Sequence, residues 1–170
     1  MRAVSMDFRL PDSSNTEALG TALARAFPTA AAGAVIYLQG ELGSGKTTCV
    51  RSLLRTLGVT APVRSPTYTL VDQYSLSGLE CVHVDLYRVR SAAEVEELGL
   101  RDMTGPGCLL LIEWPEKGGA AVPLADVKLT LNYLEVGRAA LLLAGSHLGD
   151  EWLTNLGRDS SLIPYVSNLT

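Results

Sequence analysis

Gly40-Glu41-Leu42-Gly43-Ser44-Gly45-Lys46-Thr47 decides how this chain is read. The octapeptide fits G-x-x-x-x-G-K-[ST] without a mismatch. It lies between the apolar run Val35-Ile36-Tyr37-Leu38-Gln39 and a helix-like stretch that begins at Lys46. With glycine near 7% of residues in proteins at large, the pattern should arise by chance in about one chain of this length in two hundred. Backbone N–H groups of such a loop wrap a polyphosphate, the lysine reaches the β- and γ-phosphates, and the hydroxyl after it can hold Mg²⁺. Lysine is scarce here, three against eleven arginines, yet one falls in the loop. A strand before and a helix after are what separate this motif from an ordinary glycine turn. The reading predicts a nucleoside triphosphate site.

Outward from the loop, the chain has room for one domain. It holds 170 residues, 47% of them hydrophobic, enough for one well-cored unit and too few for two ordinary ones. A net charge of −4 gives no electrostatic footprint for gripping a nucleic-acid backbone directly. Any nucleic acid is expected to be held by another subunit. The aliphatic runs near Leu109 and Leu141 are far shorter than a membrane span, and Met1 to Arg9 lacks the apolar core of a secretion signal. Cys49, Cys81 and Cys108 show no C-x-x-C spacing and sit in apolar patterns, which suits buried, reduced thiols. His83 and His147 match no ligand spacing, so a structural or surface role is expected for both. These absences favour a cytosolic setting.

The secondary-structure signals alternate. Ser14-Asn15-Thr16-Glu17 reads as a capping box opening a helix through about Phe27. Strand 35–39 feeds the loop, and a helix from about Gly45 to Leu57 carries Val50, Leu53, Leu54 and Leu57 at helical spacing before Gly58. Runs 69–76 and 80–87 suggest an antiparallel hairpin around Ser77-Gly78-Leu79. Ser91-Ala92-Ala93-Glu94 opens a short acidic helix ending at Gly99. Cys108 to Ile112 is so continuously apolar that it should be buried on both faces, at the sheet centre. Residues 126–134 alternate, with Val127, Leu129, Leu131 and Tyr133 on one side, and pair through Glu135-Val136-Gly137 with a strand over 138–144. The stretch 146–170 is expected to hold a short helix, Asp150 to Leu156, and a loose tail. The sum is a single α/β P-loop NTPase domain over 1–170, with its core at about 12–144 and a mixed β-sheet flanked by helices in three α/β/α layers.

Hydrolysis needs more than a phosphate loop: an acid to hold the metal and a group to orient water. Two strand-end carboxylates qualify. Val82-His83-Val84-Asp85 ends one hairpin strand, and Leu109-Leu110-Leu111-Ile112-Glu113 has the form of a Walker B strand, followed by Trp114-Pro115. Spacing does not apportion the metal and water roles between Asp85 and Glu113. Thr67 and Thr69 occupy the place of a switch loop in related folds, where an ordinary turn is the plainer reading.

Four motifs in this order resemble the TsaE (YjeE) family, the ATPases of bacterial tRNA threonylcarbamoyladenosine (t6A) biosynthesis. They are Gly40 to Thr48, Ser65-Pro66-Thr67-Tyr68-Thr69-Leu70-Val71, His83-Val84-Asp85-Leu86-Tyr87-Arg88, and Ile112-Glu113-Trp114-Pro115-Glu116. Glu94-x-x-Glu97-Leu98-Gly99 and Gly137-Arg138 also look like family features. The resemblance spans about residues 12 to 144. It implies a cytoplasmic, Mg²⁺-dependent ATPase that works with TsaB–TsaD to support N6-threonylcarbamoylation of adenosine 37 in tRNA, without making the threonylcarbamoyl-adenylate itself. It implies ATP held by Glu41, Leu42, Gly43, Ser44, Gly45, Lys46, Thr47 and Thr48. Thr47 and Glu113 would ligate Mg²⁺, Lys46 would clamp phosphate, and Asp85 would be needed for hydrolysis. Thr67 would sense the nucleotide, Trp114 would lie near it, and Ser13, Thr16 and Arg138 would line the base or sugar. With no obvious arginine finger in the motifs, hydrolysis is expected to be slow alone and faster in the complex.

Three other classes compete. A small-molecule kinase of the phosphate-loop type needs an arginine-rich lid, and no such segment is visible. A GTP-driven switch needs N-K-x-D, and neither Asn15, Asn132, Asn155 nor Asn168 precedes a lysine. A scaffold that holds nucleotide only to stay folded would release no phosphate.

Overall fold

A computed structural model describes residues 4–28 and 33–167. Its elements run β1 (Ser5–Leu10), α1 (Ser13–Ala26), β2 (Ala34–Gln39), α2 (Lys46–Leu57), β3 (Val71–Leu76), β4 (Leu79–Asp85), α3 (Ala92–Glu97), β5 (Cys108–Glu113), β6 (Val127–Tyr133), β7 (Arg138–Ala144) and α4 (His147–Leu156). Short 3-10 turns follow β5 and α4. All seven strands join one sheet in the order β1-β7-β6-β2-β5-β4-β3. The middle is parallel, β6, β2, β5 and β4, while β3 and the β7–β1 pair run antiparallel at the two sides. This is the mixed sheet expected.

Side-chain alternation sorts the strands between two cores. Leu109 and Leu111 of β5, Ile36 and Leu38 of β2, and Leu129 and Leu131 of β6 pack with Leu19 and Leu23 of α1, Val50, Leu53 and Leu54 of α2, and Trp152 of α4. Leu110, Ile112, Val35, Val82 and Val84 face the other way, against Val95 of α3 and the turns around Ala121 and Val122. Covering on both faces explains the unbroken apolar run of β5. The middle position, however, belongs to β2; β5 lies beside it. Gly20 lets α1 settle on α2, since a Cβ there would fall far inside van der Waals distance of the Cys49 carbonyl.

Several local readings are corrected. The cap of α1 is Asp12, in extended backbone, whose Oδ1 accepts the Asn15 N–H at 3.2 Å while Asn15 Oδ1 accepts the Asp12 N–H at 3.1 Å. Ser14 donates its hydroxyl to the Asp12 carboxylate at 2.6 Å, so the Ser14–Glu17 box does not form. At α3, Ser91 does cap the Glu94 N–H at 3.4 Å. Tyr133 leaves the buried side of β6 and is half exposed, its hydroxyl donating to the Leu42 carbonyl at 3.0 Å. Strand β1 was not foreseen, although Met6, Phe8 and Leu10 alternate; Phe8 and Leu10 are buried.

The C-terminal segment is not loose within the described residues. Helix α4 starts at His147, capped by Ser146, and buries Trp152 completely, with Nε1–H donating to the Leu23 carbonyl at 2.9 Å. Beyond it Leu162 is buried, Val166 bridges to Phe8, and the Ser167 N–H donates to the Asp7 carbonyl at 2.9 Å. Residues 168–170 of the expected tail lie outside the described residues.

Candidate nucleotide-binding site

The phosphate loop leaves the end of β2 and enters α2 through three glycines with positive φ, Gly40 at 135°, Gly43 at 78° and Gly45 at 108°. Gly45 is the N-cap of α2 and offers no side chain to satisfy the first turn, so the N–H groups there remain for an anion. Its missing Cβ also matters. Arg138 Nη1 and Thr16 close in on that position from behind the loop, and Arg138 Nη1 donates to the Ser44 carbonyl at 2.7 Å.

Lys46 is buried, and its ammonium folds back to donate to the Gly40 and Glu41 carbonyls, both at 2.8 Å. It stands 4.3 Å from the centroid of the Trp114 ring. Burial pulls its pKa below the ordinary lysine value, opposed by the carboxylates of Glu113, Asp85 and Glu116.

Thr47, one residue on, donates its hydroxyl to Glu113 at 2.9 Å to Oε1 and 3.1 Å to Oε2. Glu113 is brought there by the register of the sheet. Residues 109, 111 and 113 of β5 share the α2 face, as do 81, 83 and 85 of β4, and Asp85 pairs directly with Glu113. Asp85 is held otherwise: the Ser65 hydroxyl donates to its Oδ2 and the Tyr87 N–H to its Oδ1 at 2.9 Å. Ser65 and Thr67 hydroxyls are hydrogen-bonded at 2.9 Å, which ties the switch-like segment to Asp85. Trp114 takes a left-handed backbone, φ 58°, and turns the chain sharply after Glu113, with its ring 5.0 Å from that of Tyr87.

These groups surround a cavity of about 400 Å³ lined by Leu42, Gly43, Gly45, Lys46, Thr47, Thr48, Ser65, Thr67, Asp85, Tyr87, Arg88, Glu113 and Trp114. It thus unites the loop, both acids, Thr67 and Trp114. Glu41 and Ser44 do not line it; their carbonyls accept from Lys46 and Arg138. Ser13, Thr16 and Arg138 do not line it; Thr16 and Arg138 flank the loop from the far side. Tyr87 and Arg88 line the cavity as well, and the Arg88 guanidinium lies 4.5 Å over the Tyr68 ring. His83, expected in a structural or surface role, is fully buried, and its Nε2 lies 2.9 Å from Glu113 Oε1. Period-two alternation already puts His83 on the face of Asp85, and that was the available signal. Cys49 and Cys81 are buried, free thiols that burial pushes up to about 12. Among the described residues no group of three or more His, Cys, Asp or Glu could hold a metal ion, and no helix is long and apolar enough to cross a membrane.

A family model described as "Threonylcarbamoyl adenosine biosynthesis protein TsaE" matches residues 10–140. The chain belongs to the TsaE family. Curated TsaE relatives carry the name tRNA threonylcarbamoyladenosine biosynthesis protein TsaE. That of Haemophilus influenzae is 42% identical over 115 residues, covering 68% of this chain and 73% of the relative. That of a Synechocystis species is 40% identical over 121 residues, 69% of this chain and 74% of the relative. Among solved structures, a crystal structure of Bacillus subtilis YdiB superposes with a TM-score of 0.73 over 93% of this chain and 97% of that one, at 22% identity. That likeness extends the shared fold well past the TsaE match, across most of the C-terminal segment.

Proposed function

We propose that this chain is a Mg²⁺-dependent ATPase that supports t6A formation at position 37 of tRNA by acting with TsaB–TsaD in the cytoplasm. The observation that carries the ATPase reading is the Thr47 hydroxyl seated on both oxygens of Glu113 at the mouth of an intact phosphate loop. A hydroxyl and a carboxylate are the hard oxygen donors that Mg²⁺ accepts, with phosphate and water completing its shell. Thr47 and Glu113 would therefore hold the ion, which when bound neutralises charge on the β- and γ-phosphates.

The remaining roles follow from what each group can release. Lys46 exchanges the Gly40 and Glu41 carbonyls for phosphate oxygens, and the loop amides from Glu41 to Thr48 bind the polyphosphate. Asp85 frees an oxygen when Ser65 lets go, and that oxygen orients the attacking water. Thr67, bonded to Ser65, makes that release sensitive to nucleotide. Trp114 forms a wall beside the phosphates, while Ser13, Thr16 and Arg138 receive the base or sugar behind the loop. The tRNA role rests on the family and on the names of the relatives. A net charge of −4 suits a subunit whose partners hold the tRNA.

Phosphate release from ATP and Mg²⁺, measured with and without TsaB–TsaD, tests this. Slow release alone, faster release in the complex and none in Lys46→Ala are expected. Turnover that survives in Lys46→Ala overturns the proposal.

A further inference from the structure

We infer that His83 is a positioning residue that fixes the Glu113 carboxylate for metal binding, a role that rests on the ATPase reading above. His83 lies on β4 two residues before Asp85 and has 0% exposure. Its Nε2 stands 2.9 Å from Glu113 Oε1, the oxygen that also accepts from Thr47 at 2.9 Å. A carboxylate bonded to a hydroxyl donor offers only lone pairs to the ring, so the hydrogen between them is assigned to Nε2. Nδ1 is buried with no hydrogen-bond partner among the described residues.

That orphan is what argues against a merely structural ring. Burying a polar nitrogen without a partner costs stability, and a residue that only filled this space would be better apolar, as Leu109 and Leu111 are on the same face. What the imidazole supplies and an apolar chain cannot is the N–H at Glu113. The terminal torsion of a glutamate is broad, so a carboxylate held by Thr47 alone can rotate either oxygen forward. With Nε2–H on Oε1, rotation stops, and Oε2 is presented at a fixed angle beside Thr47. Partners of this kind, one shell out from a ligand, commonly set metal affinity by about 10–100-fold.

The experiment uses the whole chain with a non-hydrolysable ATP analogue and counts free Mn²⁺ by electron paramagnetic resonance. Three variants separate the roles. His83→Met keeps the length without a donor. His83→Gln returns an N–H at the Nε2 position, and His83→Asn carries one that falls short of Glu113. In His83→Met and His83→Asn, Mn²⁺ affinity of the nucleotide complex should fall about 10–100-fold. It should stay near wild type in His83→Gln, with analogue affinity in EDTA unchanged throughout. Wild-type Mn²⁺ affinity in every variant, or an equal loss in His83→Gln and His83→Asn, overturns the inference. Should His83→Met fail to fold, the Gln and Asn pair decides alone. A wild-type protein that binds no analogue at all would overturn the ATPase reading itself, and the positioning role with it.

Discussion

Asp85 and Glu113 stand opposite each other as register partners on β4 and β5, yet different groups hold their carboxylates. Glu113 accepts from Thr47 and lies against His83. Asp85 accepts from Ser65 and the Tyr87 backbone. One acid faces the hydroxyl next to the phosphate lysine; the other faces the switch-like segment. Two carboxylates at neighbouring positions thereby sit in different hydrogen-bonding environments.

That division separates two amide variants. Glu113→Gln should weaken the dependence of ATP affinity on Mg²⁺, because a neutral amide oxygen is a poorer ligand. Asp85→Asn should leave Mg²⁺-dependent ATP binding near wild type and slow phosphate release about 10²–10⁴-fold, the usual contribution of a positioned acid–base group. Calorimetric titration of ATP across Mg²⁺ concentrations, beside a phosphate-release assay, checks both. Identical behaviour of the two variants would refute the split.

Lys46 supplies a pH test. In the free protein burial lowers its pKa from the ordinary value, and a bound triphosphate favours the ammonium and raises it again. The bound pKa then exceeds the free one, so binding takes up a proton between the two values. ATP affinity should therefore fall as pH rises through the lowered, free-protein pKa on the alkaline side. Calorimetry across the alkaline range in buffers of different ionisation enthalpy measures that uptake directly; it should vanish in Lys46→Met.

How much of this was legible depended on how local each feature is. The phosphate loop and the Ser77-Gly78 and Glu135-to-Gly137 hairpins were readable because glycine placement fixes them within a few residues. Glu113 was readable because a strand end next to a loop is a sequence position. The contact of His83 with Glu113 was not, since it depends on β4 pairing parallel with β5 in one register. The cap of α1 was misplaced because Ser14 to Glu17 carries the usual capping-box letters, whereas the box that forms starts at Asp12 and is closed by Asn15 instead of a Glu or Gln. Tyr133 obeyed the alternation of β6 in sequence but was drawn off it by the Leu42 carbonyl.

Arg138 braces the phosphate loop whatever part of the nucleotide lies beyond it. Its Nη1 bond to the Ser44 carbonyl is charge-assisted, of a kind that contributes about 1.5–3 kcal/mol. Arg138→Ala should lower the stability of the nucleotide-free protein by that order in urea unfolding, before any ATP contact is involved. Gly45→Ala attacks the same brace from the other side, because a Cβ at φ 108° would collide with Arg138. It should reduce ATP affinity even where the protein remains folded. Unchanged unfolding of Arg138→Ala would show the contact to be dispensable.

Trp152 tests whether the C-terminal segment belongs to the domain. Its ring is fully buried, packs edge-on to Phe27 with centroids 5.0 Å apart, and spends its only donor on Leu23 of α1. Trp152→Ala therefore leaves a large void and an unpaired carbonyl under the helix that also packs on α2. The expected loss is about 3–5 kcal/mol in urea unfolding, the range for deleting a buried aromatic side chain. A chain ending at Gly145 should lose more, because Leu153, Leu156 and Leu162 leave the same core with it. If that shortened chain unfolded at the same urea concentration as the full one, α4 would be an appendage rather than a wall of the α1–α2 layer.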